Sequence, residues 1–152
     1  FCLSRGLRDV YKRQSELSVK SSEKLNSKNI LCNKAKILQA SVSDMPFDDN
    51  TFDNITAVET YYFWPDKEND VKEVFRVLKQ GGTVMLLFEM LRTDDDPFKW
   101  EKVENMLNIK SVTPQEIRAV LESAGFENIN TYTKEGTTWL CATAQKPKDD
   151  EN

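Results

Sequence analysis

The run Thr83-Val84-Met85-Leu86-Leu87-Phe88 constrains this chain more than any other stretch. Such a short uncharged run suits a strand covered on both faces, the situation of a parallel strand between helical layers. What precedes it supports that reading. Val71, Val74, Phe75 and Leu78 recur at i, i+3, i+4 and i+7, one apolar stripe on a helix. Asp66 can cap the start of that helix, and Gly81-Gly82 is expected to stop it through a left-handed residue. A helix that hands over to a doubly buried strand implies a layered, mostly parallel sheet.

The rest of the chain fits the same scheme. Ala35 to Ala40 reads as a short strand, and Phe52 to Glu59 as a buried one. Between them, Pro46 and the Asp48-Asp49-Asn50 cluster mark a loop. Ser15 to Ser27 is a candidate surface helix, and a short helix is expected near Trp100 to Leu107, after the loop-like Asp94-Asp95-Asp96-Pro97. Thr113-Pro114-Gln115-Glu116 is a capping box with proline at the first helical position. Ile117, Val120, Leu121 and Ala124 form that helix's apolar face, and Gly125 ends it. Ile129 to Thr133 and Thr138 to Ala144 flank Glu135-Gly136 as a hairpin. The fold class expected is α/β: a doubly wound, Rossmann-like sheet, mostly parallel with a C-terminal antiparallel hairpin.

Its 152 residues suffice for one domain. Phe1 to Gln14 (FCLSRGLRDVYKRQ) shows no helical or strand period and resembles the peptide produced when a sequencing adapter is read as coding sequence. These residues are expected to stand outside the fold, with residues 15–146 as the domain and 147–152 as a polar tail, frayed from Lys146 onward. Their four cations against Asp9 give a local +3, which leaves −7 on the remainder of a chain whose net charge is −4. An acidic body gives no reason to expect nucleic acid. No apolar run approaches the ~20 residues of a membrane span, and no membrane partner is expected. There is no histidine, and Cys2, Cys32 and Cys141 are too scattered for a zinc site, so no metal is expected and a cytoplasmic, reduced setting is.

Two segments carry a resemblance. Ser41-Val42-Ser43-Asp44-Met45-Pro46-Phe47-Asp48-Asp49-Asn50-Thr51-Phe52-Asp53 resembles the third-strand signature of class I S-adenosylmethionine-dependent methyltransferases. Glu73 to Gly82 (EVFRVLKQGG) resembles the signature before the fifth strand, with Gln80 where proline is usual. The order is right, and the branch that includes ubiquinone and menaquinone biosynthesis methyltransferases is the most similar. The resemblance implies S-adenosyl-L-methionine as cofactor and methyl transfer to a small-molecule acceptor. It also implies that the chain begins after the second strand, without the first strand, its glycine-rich turn and the acid that holds the ribose, and that cofactor affinity suffers. No GxGxG exists here.

By that resemblance Asp44 accepts a hydrogen bond from the adenine amino group, with Ser43 and Met45 flanking the ring. In an open parallel sheet, ligands sit beyond the carboxyl ends of the strands, so Asp44 and Glu59 are expected to share one mouth. Glu59 and Thr60 lie where the family places groups near the transferring methyl, and Glu59 can serve as cofactor contact and as base. Tyr61, Tyr62 and Trp64 either bind the acceptor and the cation or plug the core; Phe98 and Trp100 either line an acceptor pocket or anchor a loop. Arg76 and Lys79 are expected on a solvated helix face. Two other readings stay open: a non-catalytic Rossmann-like fragment or interaction domain that binds no cofactor, and a nicotinamide-dependent oxidoreductase of the same architecture.

Overall fold

The computed structural model describes residues 2–5, 8–13, 16–93, 95 and 99–148, and the side chains from Val19 onward apart from those of 94 and 96–98. Seven strands form one sheet: β1 (Cys2–Arg5), β2 (Arg8–Arg13), β3 (Ala35–Gln39), β4 (Phe52–Val58), β5 (Leu78–Phe88), β6 (Glu127–Thr133) and β7 (Leu140–Gln145), in the order β3-β2-β1-β4-β5-β7-β6. β2 is parallel to β3, and β4 to β5; β7 runs against both β5 and β6. β1 runs against both of its neighbours, β2 and β4. The α/β class is as expected, but residues 2–5 and 8–13, expected outside the fold, are two of its strands, and β1 adds an antiparallel element in the middle of the sheet. Edge pairing between β2 and β4 satisfies its backbone groups, a gain the side-chain pattern of Phe1–Gln14 does not advertise.

Five α-helices complete the described elements: α1 (Glu16–Leu25), α2 (Ser27–Leu31), α3 (Lys67–Val77), α4 (Glu101–Leu107) and α5 (Pro114–Ser123). α1 and α2 pack over β2 and β3, while α3 and α5 pack over β5, β7 and β6. The registers place these pairs of helices on opposite faces. Ala35 and Ile37, under α1, lie in lateral register with Asp9 and Tyr11, and onward with Asn54, Thr56, Thr83 and Met85, the face that Leu87 shares. Val84, Leu86 and Phe88 point the other way and are buried with Val71, Val74, Ile117 and Leu121. The expectation that β5 is covered on both faces is therefore corrected. One face of Thr83–Phe88 is core; the other, with Met85 and Leu87, is only half-buried.

α3 starts where Asp66 accepts the Asn69 N–H at 3.2 Å, as expected. It ends at Val77, short of Gly81, because Leu78 already pairs with Phe52 in the β4–β5 ladder. Gly81 does adopt a positive φ of 74°, inside the strand, where its N–H reaches the carbonyl of Lys146. Gly82 is required by close approach: a Cβ there would stand 2.8 Å from the Lys79 carbonyl and 2.9 Å from that of Asp53. The capping box at Thr113 and Glu116 is present, with Pro114 opening α5. Lys146 is a further correction. It is not frayed but buried, and its ammonium donates to Asn50 Oδ1 (2.9 Å), the Phe75 carbonyl (2.8 Å) and the Leu78 carbonyl (2.9 Å), closing the C-terminal end of α3.

Candidate functional site at the carboxyl edge of the sheet

β2, β3, β4 and β5 run the same way, so their last residues share one edge. β4 leaves that edge through Glu59, whose φ of 55° lies in the left-handed region. A non-glycine residue adopts it only where its surroundings hold it there. Here the Glu59 N–H donates to the Leu87 carbonyl at 3.0 Å, continuing the ladder one residue beyond the strand. The Glu59 carboxyl is pushed above its ordinary value by burial and then by the carboxylate of Glu89, while a hydrogen bond from the Glu89 backbone works against them. Glu89 is the first residue beyond β5. Two carboxyl groups therefore stand at the ends of adjacent parallel strands, a local concentration of negative potential suited to a cation.

Thr60 follows, with a hydroxyl that is buried and has no hydrogen-bond partner among the described residues. Tyr61–Phe63 then form one 3-10 turn, closed by the Phe63 N–H on the Thr60 carbonyl at 3.1 Å. Tyr61, Tyr62 and Trp64 are buried. Tyr61 meets Phe88 edge to face at 5.5 Å and Trp64 at 5.2 Å; Tyr62 meets Phe88 at 5.8 Å. The Tyr62 phenol oxygen accepts the Met90 N–H at 2.9 Å. Burial pushes both tyrosine hydroxyls well above their ordinary value. These rings pack around Phe88 directly after Glu59 in the chain, and the exposed member of the group is Phe63, at 53%. Trp100 donates its indole N–H to the Leu91 carbonyl at 3.1 Å and so anchors the segment after β5; Phe98 lies outside the described residues.

Ser43 and Asp44 are exposed on the loop after β3, and Met45 is buried. That loop is clamped by α3. The Met45 N–H donates to Glu73 Oε1 at 2.8 Å. Arg76 donates to the carbonyls of Met45 (3.1 Å) and Phe47 (2.8 Å), and to Asp49 (2.8 Å) and Glu73 (2.7 Å). Arg76 is therefore no solvated side chain but a five-donor fork holding a loop 27 to 31 residues away. Lys79 pairs with Asp53 at 2.7 Å, part exposed. Because α3 runs from the carboxyl edge toward the amino edge, Glu73 and Arg76 draw residues 45–49 down its flank. Asp44 thus stands at the top of a descending leg, whereas Glu59 stands at the edge itself.

Sequence reading missed Glu89, Glu73 and Arg76. The strand-end rule that singled out Glu59 applies equally to Glu89. The i, i+3 spacing of Glu73 and Arg76 was a visible signal for a paired clamp. Elsewhere, a hollow of about 240 Å³ lined by Glu23, Ile30, Asn33, Ala35, Lys36 and Ile37 opens toward the start of β3, away from Glu59. Among the described residues no group of His, Cys, Asp and Glu is placed to hold a metal ion, and no helix is long and apolar enough to cross a membrane.

A family model described as a methyltransferase domain matches residues 9–86. An uncharacterised methyltransferase, YdaC, of Bacillus subtilis is 28% identical over 97% of this chain and 78% of its own length. The ubiquinone/menaquinone biosynthesis C-methyltransferase UbiE of Cronobacter sakazakii is 32% identical over 75% of this chain; this chain spans only about half, 54%, of that relative. Among solved structures, a protein of Galdieria sulphuraria described only by proposed function, as a sarcosine dimethylglycine methyltransferase, superposes with a TM-score of 0.78 over 91% of this chain and 69% of its own, at 15% identity, a likeness of fold.

Proposed function

The chain belongs to the methyltransferase domain family, whose members use S-adenosyl-L-methionine, and from that premise we propose that it serves methyl transfer from this cofactor to a small-molecule acceptor at the carboxyl edge of the sheet. The observation that carries the reading is the placement of Glu59 and Glu89 directly beyond the adjacent parallel strands β4 and β5, where a sulfonium cation would offset the repulsion between the two carboxylates. The residues present fit the cofactor's charge. They fit its amino-acid portion less well, because β1 runs toward the amino edge and ends away from Glu59, so affinity is expected to be weak.

When bound, the cofactor supplies a methyl group already activated for displacement, so the protein's task is alignment. Glu59 orients the cation and, with its proton affinity raised by burial, takes a proton from an acceptor that must lose one. The buried Thr60 hydroxyl is available to hydrogen-bond the acceptor. Tyr61, Tyr62 and Trp64 form the acceptor-side floor and keep water from beneath Glu59. Asp44, flanked by Ser43 and Met45, takes the adenine amino group, the loop being held open to solvent by Arg76. A cytoplasmic setting accords with the free thiols of Cys32 and Cys141.

The direction of β1 also favours a second reading, an interaction domain that keeps the sheet and binds no cofactor. Titration calorimetry with S-adenosylmethionine and its neutral thioether product separates the two. Binding of both, with preference for the sulfonium, is expected; no heat from either at millimolar ligand rejects the enzymatic reading in favour of the second.

A further inference from the structure

Lys146 follows β7 directly and lies at the amino edge of the sheet, beside the end of α3. An ammonium has three protons to donate. Those of Lys146 are accepted by the Phe75 and Leu78 carbonyls at the end of α3 and by Asn50 Oδ1, 96 positions earlier in the chain. The Phe75 ring lies 4.6 Å from the same Nζ. The backbone is fixed as well: the Lys146 N–H donates to the Gly82 carbonyl, and the Lys146 carbonyl accepts the Gly81 N–H, both at 3.0 Å. A side chain held this way has little freedom, because leaving its partners would strand a buried charge.

Asn50 is the residue through which the loop after β3 turns back into β4. Its φ of 54° is left-handed, a conformation that asparagine tolerates better than most side chains. Its N–H donates to the Arg76 carbonyl at 3.0 Å, and the Thr51 N–H to the Val77 carbonyl at 2.8 Å. The loop is thus gripped by the Arg76 guanidinium over residues 45–49 and by the Lys146 ammonium at residue 50. Arg76 belongs to α3, but Lys146 is carried by β7, so the second grip ties the loop to the hairpin side of the sheet. We propose that Lys146 is a positioning residue for cofactor binding: acting through Asn50, it fixes the hinge that sets where Ser43, Asp44 and Met45 stand. The identity of the ligand rests on the enzymatic reading above; the coupling rests on the hydrogen bonds alone. A hydrogen bond to a charged group is strong enough that its loss shifts a local opening equilibrium by about tenfold.

Hydrogen exchange on the full chain tests the coupling, and calorimetry with S-adenosylmethionine tests its consequence. Asn50→Gly keeps the left-handed turn and removes the oxygen that Lys146 holds; Asn50 is exposed, so no cavity opens. Exchange of residues 45–51 should quicken about tenfold, with the denaturant midpoint nearly unchanged. Asn50→Asp, which keeps an acceptor, should restore slow exchange. Lys146→Met should loosen the same residues, and adding it to Asn50→Gly should quicken them no further. Asn50→Gly alone keeps the test alive if Lys146→Met fails to fold, because it leaves the buried ammonium in place. The dissociation constant for S-adenosylmethionine should rise about tenfold in Asn50→Gly and stay at the parent value in Asn50→Asp. Unchanged exchange in Asn50→Gly, or additive effects in the double variant, overturns the coupling. Faster exchange with unchanged cofactor affinity overturns the positioning role. A parent chain that binds no cofactor rejects the enzymatic reading instead, and the exchange cycle still decides whether Lys146 sets the hinge.

Discussion

The segments that follow β3 and β4 leave the same edge of the sheet and are held there by opposite physics. Residues 43–49 are shaped by hydrogen bonds from Glu73 and Arg76, with most of the side chains facing water. Residues 59–64 are shaped by burial: Tyr61, Tyr62 and Trp64 pack around Phe88, and Glu59 is carried on top in a left-handed conformation. A polar clamp leaves its carboxylate, Asp44, exposed. An apolar floor removes solvent from its carboxylate, and burial raises the proton affinity of Glu59. The second kind of support tunes chemistry; the first only positions.

The largest test of this contrast is Phe88→Ala. Removing the ring under both tyrosines should cost about 3–5 kcal/mol of stability, read by denaturant unfolding. A loss below 1 kcal/mol would mean that the aromatic floor does not hold the Glu59 segment. Arg76→Ala should cost about 2 kcal/mol, less than a fully buried network because the side chain is one-third exposed (33%). Hydrogen exchange should show the loss confined to residues 45–49, and Arg76→Lys should not restore it, since one ammonium cannot reach four acceptors.

Glu59→Gln should weaken sulfonium binding by about 1–2 kcal/mol and leave the neutral thioether unaffected. In the parent chain, affinity for the cation should rise as pH rises through the raised Glu59 value and the group ionises. Stability moves the other way. With its folded value raised, Glu59 contributes fully below the ordinary 4.5 and loses that contribution as pH rises through the folded value. A pH-independent affinity ratio between cation and thioether would remove Glu59 from the site. The smallest effect belongs to Asp44→Ala, about 1 kcal/mol in cofactor affinity, because the carboxylate is exposed. Unchanged affinity there would confine the ligand to the Glu59 side and sharpen the contrast further.

How much of this was legible beforehand depended on range. The start of α3 at Asp66 and the capping box at Thr113 and Glu116 are settled within one helical turn, so local chemistry suffices to read them. The end of α3 is not local. Leu78 continues the apolar stripe, yet the ladder with Phe52 claims it for β5. Glu59 was readable as a strand-end residue; its raised proton affinity was not, because Glu89 is its neighbour only across two strands. Arg76 reads as an exposed helix residue until the β3–β4 loop is folded back onto it.

Residue order alone determined the α/β alternation, the two family signatures and the boundaries set by caps and turns, since each needs only neighbours within a few positions. Tertiary structure decided which face of β5 is buried, the direction of β1, the burial of Lys146 and the meeting of Glu59 with Glu89. Those depend on contacts between segments tens of residues apart, and a periodic pattern states that a face is apolar without stating what will cover it.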